Sequence, residues 1–291
     1  QHGEVDLETM EQIAQFCIDA GASALVFPGV ASEFDHLSAE ERLSLLEVVC
    51  RVAHGKVPVV SGGGKGTPEE IGSNISKAKA MGAVVAMVLI PNQFQNDEEG
   101  ASQFMRSVIE NAPGVDIILQ SAPVPIGAGL DSDILAGIVK ASPAIRYVKE
   151  ETLPSGPRIS GLKESAPDHL IGVIGGGGAR YLIDEMNRGA IAAMPAAEIT
   201  DIHVDMWNAY QSGNVAKARD LYMRALPLLV IQTIYRMRLT KYILKKRGVC
   251  KNSKVRAPLA RFDSYDEAEL SIQLESLAGV MKLAPSKTAA A

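Results

Sequence analysis

The sequence predicts an α/β fold, a (β/α)8 TIM barrel with a helical C-terminal extension. Two observations carry that expectation. Short runs of β-branched and apolar residues recur through residues 1–200 with amphipathic segments between them. The glycines that close those amphipathic segments fall directly before the next apolar run, as left-handed helix caps do. A repeated strand-then-helix unit calls for right-handed crossovers and therefore a parallel sheet.

Strands are expected near Ala24–Phe27, Val57–Ser61, Val84–Leu89, Ile117–Gln120, Tyr147–Lys149, Ile171–Ile174 and Ala190–Met194. The helices between them carry start signals. Ser38 has Glu41 at the third helical position, and Thr67-Pro68-Glu69-Glu70 joins a capping box to a proline in the first turn. Gly21, Gly55, Gly82 and Gly189 supply the matching stops. This makes seven strands, one short of a closed barrel, and a helical pattern (Leu7, Met10, Ile13, Ala14) begins almost at once. The first strand is expected to lie outside this chain, since an open sheet exposes two unpaired edges. After about Thr200 the alternation gives way to helical patterns at Asp201–Ser212, Val215–Leu226, Leu228–Arg247 and Asp266–Met281. Residues 1–200 are therefore expected to form the catalytic barrel, and residues 201–291 a C-terminal helical domain.

A net charge of −5 argues against a nucleic-acid partner, and no run is long and apolar enough to cross a membrane. Three widely spaced cysteines, Cys17, Cys50 and Cys250, suit a reducing, cytoplasmic setting better than a disulfide framework. The five histidines (His2, His36, His54, His169, His203) form no metal-ligand spacing with one another or with cysteine. No metal is expected, and only His36, just after a strand end, is kept open as a site residue. No serine nucleophile elbow is present.

The most informative segment is Arg146-Tyr147-Val148-Lys149-Glu150-Glu151. It places a lysine where a barrel strand should end, and the carboxyl ends of barrel strands converge on the active-site mouth. An amine among apolar walls is cheaper to keep neutral than charged, and a neutral amine attacks a ketone. The run Gly175-Gly176-Gly177-Gly178 follows a predicted strand and precedes a helix expected to begin near Ala179. It can cradle a phosphate, but a loop that lets a substrate or neighbouring backbone come close is the favoured reading. Lys241 to Arg247 reads as the basic last turn of a helix.

Gly29-Val30-Ala31-Ser32-Glu33, Leu37-Ser38-Ala39-Glu40-Glu41-Arg42, Tyr147-Val148-Lys149-Glu150 and Val255-Arg256-Ala257-Pro258-Leu259 together resemble the dihydrodipicolinate synthase and N-acetylneuraminate lyase superfamily. The resemblance implies a barrel with a helical C-terminal domain in a homo-oligomer, a dimer or tetramer. It also implies an imine between Lys149 and a 2-oxo acid such as pyruvate, with no separate cofactor. Synthases of the family use a threonine, two tyrosines and an arginine. Here Val30, Gln93, Gln120 and Pro125 stand at those places, which argues against dihydrodipicolinate synthesis. Ala31-Ser32-Glu33, Gln120-x-Ala122-Pro123-Val124 and Ile145-Arg146-Tyr147-x-Lys149 resemble 2-keto-3-deoxy sugar acid dehydratases, notably those acting on 2-keto-3-deoxyarabonate. In that reading Ser32, with the amides of Ala31 and Ser32, holds the substrate carboxylate. Glu33 and Glu151 are the carboxyl groups available for proton transfer, and Gln120 and Ser121 position the substrate or a water, with ordinary packing as their alternative; Gly175 and Gly176, in the glycine run, are the substrate-approach residues of the loop reading above. For Glu33 a purely loop-holding role is equally compatible, and Glu151 has the alternative of solvating the barrel rim. The expected function is a Schiff-base lyase that dehydrates a 2-keto-3-deoxy sugar acid. A pyruvate-dependent aldolase or synthase of the same superfamily, and a barrel kept for binding or regulation, are the alternatives.

Overall fold

Helix starts and stops fall where capping chemistry places them. The computed structural model of the protein describes residues 3–282. Ser38 caps helix α2 (Ala39–Ala53) by accepting the Glu41 amide, while the Glu41 carboxylate accepts the Ser38 amide in return. Thr67 and Glu70 make the same reciprocal pair ahead of Pro68 at the start of α3 (Pro68–Ala80). Gly21, Gly55, Gly82 and Gly189 all have positive φ, as helix-closing residues require.

The chain divides into two compact units, one made of the residues up to Pro58 with those from Pro195 onward, the other Val59–Met194. The second unit holds β2 (Val59–Gly62), β3 (Val85–Leu89), β4 (Asp116–Ser121), β5 (Ile145–Glu150), β6 (Gly172–Gly175) and β7 (Ala192–Ala193). Neighbours in sequence are parallel neighbours in the sheet, joined by α3, α4 (Glu98–Glu110), α5 (Ser132–Ala141), α6 (Ser155–Ser165) and α7 (Leu182–Asn187). Alternation sends Val88, Leu119, Val148 and Val173 into one core with Ile71, Ile75, Leu135, Ile159 and Leu162 from the helices. Each fully buried side chain of this kind stabilises the fold by about 1.5–3 kcal/mol.

The first unit holds α1 (Leu7–Asp19), β1 (Leu25–Phe27), α2, and then α8 (Thr200–Gln211), α9 (Val215–Tyr235), α10 (Met237–Lys246) and α11 (Ser264–Ala278). The helical segment after residue 200 thus shares a unit with residues 1–58. Within that segment Arg247, at the end of α10, pairs with Asp201 on α8 at 2.9 and 2.6 Å, with side chains 4% and 0% exposed.

Seven strands are present among the described residues, and none precedes α1. Most boundaries move by a residue or two, and three of the differences have a local cause. β7 is two residues long because Ala190 still donates to Glu185 O as part of the α7 cap, and Pro195 has no amide to extend the ladder. The expected break between Leu226 and Leu228 is absent: α9 runs through Pro227, with Ala225, Leu228 and Leu229 buried around it. That packing offsets the roughly 3 kcal/mol a helical proline costs. The chain turns instead at Arg236 (φ 46°, ψ −123°). Finally, α7 starts at Leu182 rather than Ala179, since Gly177–Ala179 forms a 3-10 turn.

Candidate functional site

Lys149 owes its direction to a bulge. Ile117 of β4 pairs with Ile145 of β5, but the next residue, Ile118, pairs with Tyr147, leaving Arg146 as an extra residue. Strict alternation from Ile145 would put Lys149 on the helix-facing side with it. The bulge resets the phase, so Ile145 and Val148 both enter the helix-facing core and Lys149 points to the opposite face. There it lies in a row of register partners, Leu89, Gln120, Lys149 and Ile174, on four neighbouring strands.

Two residues beyond Lys149, Glu151 folds back over it. The Glu151 amide donates to Ser121 O at 2.9 Å, which pins the chain where β5 ends. Its Oε1 lies 3.1 Å from Lys149 Nζ, with side chains 23% and 9% exposed. Gln120 Nε2 donates to Glu151 Oε2 at 2.6 Å. A half-buried carboxylate therefore touches both the Lys149 amine and the Gln120 amide. Such a group can take a proton from the amine before attack and from a substrate carbon afterwards.

The intervening Glu150 faces the helix side and is fully buried. Its Oε1 accepts the Thr152 amide at 2.7 Å, and Arg158 Nε of α6 lies 3.2 Å from its Oε2. Burial pushes the Glu150 carboxyl above its ordinary range against the pull of Arg158. Ser121 also lies on this side. Its hydroxyl is 3.4 Å from that of Thr152, so it joins two strand ends instead of sharing the face of Gln120 and Lys149. A cavity of about 440 Å³ nearby is lined by Leu153, Pro154, Pro157, Tyr181 and Asp184, and by neither Lys149 nor Gln120.

The glycines ending β6 are spaces already filled. A Cβ on Gly175 would lie 2.1 Å from Glu185 Oε2, and one on Gly176 would lie 2.2 Å from Glu151 Cγ. Glu185, on α7, is fully buried; Ser155 Oγ donates to its Oε1 at 2.9 Å. Burial pushes its carboxyl up to about 7, although Ser155 and the Gly176 amide favour the ionised form. Sequence reading missed Glu185, and the signal for it was present: two successive glycines at a strand end mean that something else occupies the room of two side chains.

In the first unit the loop after β1 runs through a 3-10 turn, Val30–Ser32, to Glu33 with φ 57°. Ser32 is engaged locally: its amide donates to Gly29 O at 3.0 Å and its hydroxyl accepts the Gly29 amide at 3.2 Å. Val30 and Ala31 are exposed. Glu33 Oε1 accepts the amides of Arg256 and Ala257 at 2.7 and 2.8 Å, and its Oε2 pairs with Lys241 Nζ. Burial raises the Glu33 carboxyl, but Lys241 and the two amides outweigh it and hold the group below its ordinary range. The His36 carbonyl accepts from Arg256 Nη1 at 2.9 Å. Among the described residues no group of three or more His, Cys, Asp or Glu side chains converges as a metal site. His2 lies outside them. The three cysteines are buried and unbridged, and no helix of the described residues is long and apolar enough to cross a membrane.

Residues 1–277 match the Dihydrodipicolinate synthetase family. The chain belongs to that family. Among curated relatives, the 4-hydroxy-tetrahydrodipicolinate synthase of Thermotoga neapolitana is 25% identical over 79% of this chain and 78% of its own. That of Pelodictyon phaeoclathratiforme is 26% identical over 94% and 92%. The fold matches the dihydrodipicolinate synthase of Rhodopseudomonas palustris with a TM-score of 0.87 at 24% identity, covering 94% of this chain and 93% of that one. A prophage protein of E. coli K12 of the dihydrodipicolinic acid synthase family, solved in complex with pyruvate, matches with a TM-score of 0.83 at 22% identity over 95% and 94%. This dihydrodipicolinate synthetase family member is a lyase of α/β fold with parallel strands and C-terminal helices.

Proposed function

We propose that the protein is a Schiff-base lyase that dehydrates a 2-keto-3-deoxy sugar acid, with Lys149 as the nucleophile and Glu151 as the proton carrier. One observation carries this reading: the Glu151 carboxylate bridges Lys149 Nζ at 3.1 Å and Gln120 Nε2 at 2.6 Å. Lys149 Nζ adds to C2 of the 2-oxo acid, and loss of the carbonyl oxygen as water leaves an iminium. That cation accepts the electron pair of the C3–H bond as Glu151 takes the proton, giving an enamine. The enamine pair then expels the C4 hydroxyl, which leaves as water on receiving the proton Glu151 holds. The conjugated iminium gives up a C5 proton and regains one at C3, so that hydrolysis, which returns Lys149, releases a C4–C5 enol that ketonises to the 2-oxo semialdehyde. Gln120 has no acidic hydroxyl, so it orients Glu151 without shuttling a proton.

The same residues argue against the competing reactions. An aldolase must remove the proton of the C4 hydroxyl, for which the family uses a tyrosine where Gln120 stands, and the synthase reaction needs the relay that Val30, Gln93 and Gln120 interrupt. Gln93 sits exposed in the 3-10 turn Asn92–Phe94. Glu33 is assigned to holding its loop, and Ser121 to joining strand ends. The carboxylate-holding role of Ala31 and Ser32 and a homo-oligomeric state rest on the family resemblance, while Gly175 and Gly176 are assigned to leaving room for Glu185 and Glu151.

Borohydride reduction in the presence of pyruvate should add mass to the peptide containing Lys149 and to no peptide of Lys149→Met. Given a 2-keto-3-deoxypentonate, the protein should yield the 2-oxo semialdehyde without pyruvate. Labelling of a different lysine would overturn the assignment of the nucleophile. Pyruvate released in step with substrate loss, read with a lactate dehydrogenase couple, would put the aldolase reading first.

A further inference from the structure

Glu151 can serve Lys149 only while its side chain stays folded back over the strand end, and its own contacts do not fix that fold alone. The Cγ of Glu151 packs where a Cβ of Gly176 would be, 2.2 Å from it, and Glu150 O lies 3.0 Å from the same point. On the other flank of the same strand end, Glu185 Oε2 occupies the Cβ position of Gly175. The backbone of Gly175 and Gly176 is thus a bare spacer held between two carboxyl side chains. Glu185 is anchored from behind by Ser155 Oγ at 2.9 Å, and among the described residues its Oε2 completes no hydrogen bond of its own. The Gly176 amide approaches the Glu185 carboxyl closely enough to favour its ionised form.

We propose that Gly176 and Glu185 are positioning residues for Glu151: Glu185 seats the end of β6 against Ser155, and the bare Cα of Gly176 leaves Glu151 the single path that brings its carboxylate to Lys149 and Gln120. This rests on the assignment of Lys149 and Glu151 above. A side chain at position 176 pushes Glu151 Cγ aside by an ångström or more, and misplacement on that scale costs a proton transfer about a hundredfold. The lysine itself, on the neighbouring strand and held by its own register, is untouched.

The charged and titratable groups facing Glu185 are few. Asp184 on its own helix and Glu151 beyond β5 oppose its ionisation, while Ser155 on α6 and the Gly176 amide favour it; Arg188 is paired with Asp184 at 3.0 Å.

Pyruvate separates the two levels of the argument, because imine formation needs Lys149 whereas exchange of its methyl protons for deuterium also needs the carboxylate. In Gly176→Ala, borohydride trapping at Lys149 should stay within about twofold of wild type while NMR-detected exchange falls about a hundredfold. In Glu185→Gln, trapping should again hold and exchange should fall by roughly tenfold. Unchanged exchange in both variants would overturn the positioning role and leave the Schiff-base reading intact. Equal loss of trapping and exchange would overturn it too, by placing the damage outside Glu151. Wild-type protein that traps no pyruvate at Lys149 would instead sink the reading on which the proposal stands.

Discussion

Replacing Glu33 by alanine should cost roughly 4 kcal/mol of stability and leave chemistry at Lys149 in place. Glu33 Oε1 accepts two backbone amides at 2.7 and 2.8 Å, and the Ala257 end of that pair is buried. Hydrogen bonds to a charged acceptor contribute about 1.5–3 kcal/mol each, and alanine would strand both donors. Lys241 adds less: its side chain is 34% exposed, so solvent screens the pair to about 0.2–1 kcal/mol. Glutamine keeps one acceptor oxygen but turns an NH2 group toward either the amides or Lys241, and should cost about half as much. Urea unfolding followed by far-UV circular dichroism reads these differences by linear extrapolation. The pH dependence has a definite sign. Since the folded state holds the Glu33 carboxyl below its ordinary 4.5, its contribution is complete above that value and is lost as pH falls through the folded pKa. Glu33→Gln should flatten that acid limb. A loss below about 1 kcal/mol in Glu33→Ala, accompanied by abolished proton exchange on pyruvate, would refute the reasoning and make Glu33 a catalytic group.

Glu151→Gln should keep borohydride trapping at Lys149 but slow exchange of the pyruvate methyl protons by about 10²–10⁴, the usual contribution of a positioned base; exchange at the wild-type rate would remove Glu151 from the mechanism. His203 is buried with both ring nitrogens unpartnered among the described residues, and burial lowers its pKa to about 4. The unfolded chain therefore takes up a proton there first, and stability should decline by about 3 kcal/mol as pH falls from 6.5 to 4. His203→Leu should lack that decline in urea titrations across the same window. Asp201→Ala, which leaves Arg247 buried without its carboxylate, should cost about 3–5 kcal/mol, and an unchanged urea midpoint would show that the pair contributes little.

Caps and glycine stops were readable because their chemistry is local: Ser38 with Glu41 and Thr67 with Glu70 need only three residues to declare a helix start. Lys149 at a strand end was readable for the same reason. What escaped the sequence depends on contacts between distant elements. Pro227 reads as a break in isolation, and only the buried residues around it show that the helix survives. Ser121 stands next to Gln120 in the chain yet serves the opposite face, which follows from strand alternation once the register is known. Glu185 lies 34 residues from Glu151, and no periodicity links them; only the geometry of two bare glycines does.

The extra residue in β5 changes what a length mutation would do here. In a regular strand, removing any one residue turns everything beyond it to the other side of the sheet. At Arg146 the opposite holds: its loss would let Ile145 meet Ile117 and Tyr147 meet Ile118 in plain alternation, with Lys149 still facing as before. Loss of Val148 has no such slack and would replace the Lys149 amine on that face with the Glu150 carboxyl. Between Ile145 and Lys149, Arg146 is thus the one link that can be dropped without turning the lysine away, so insertions and deletions in this lineage should collect there and be purged two residues later.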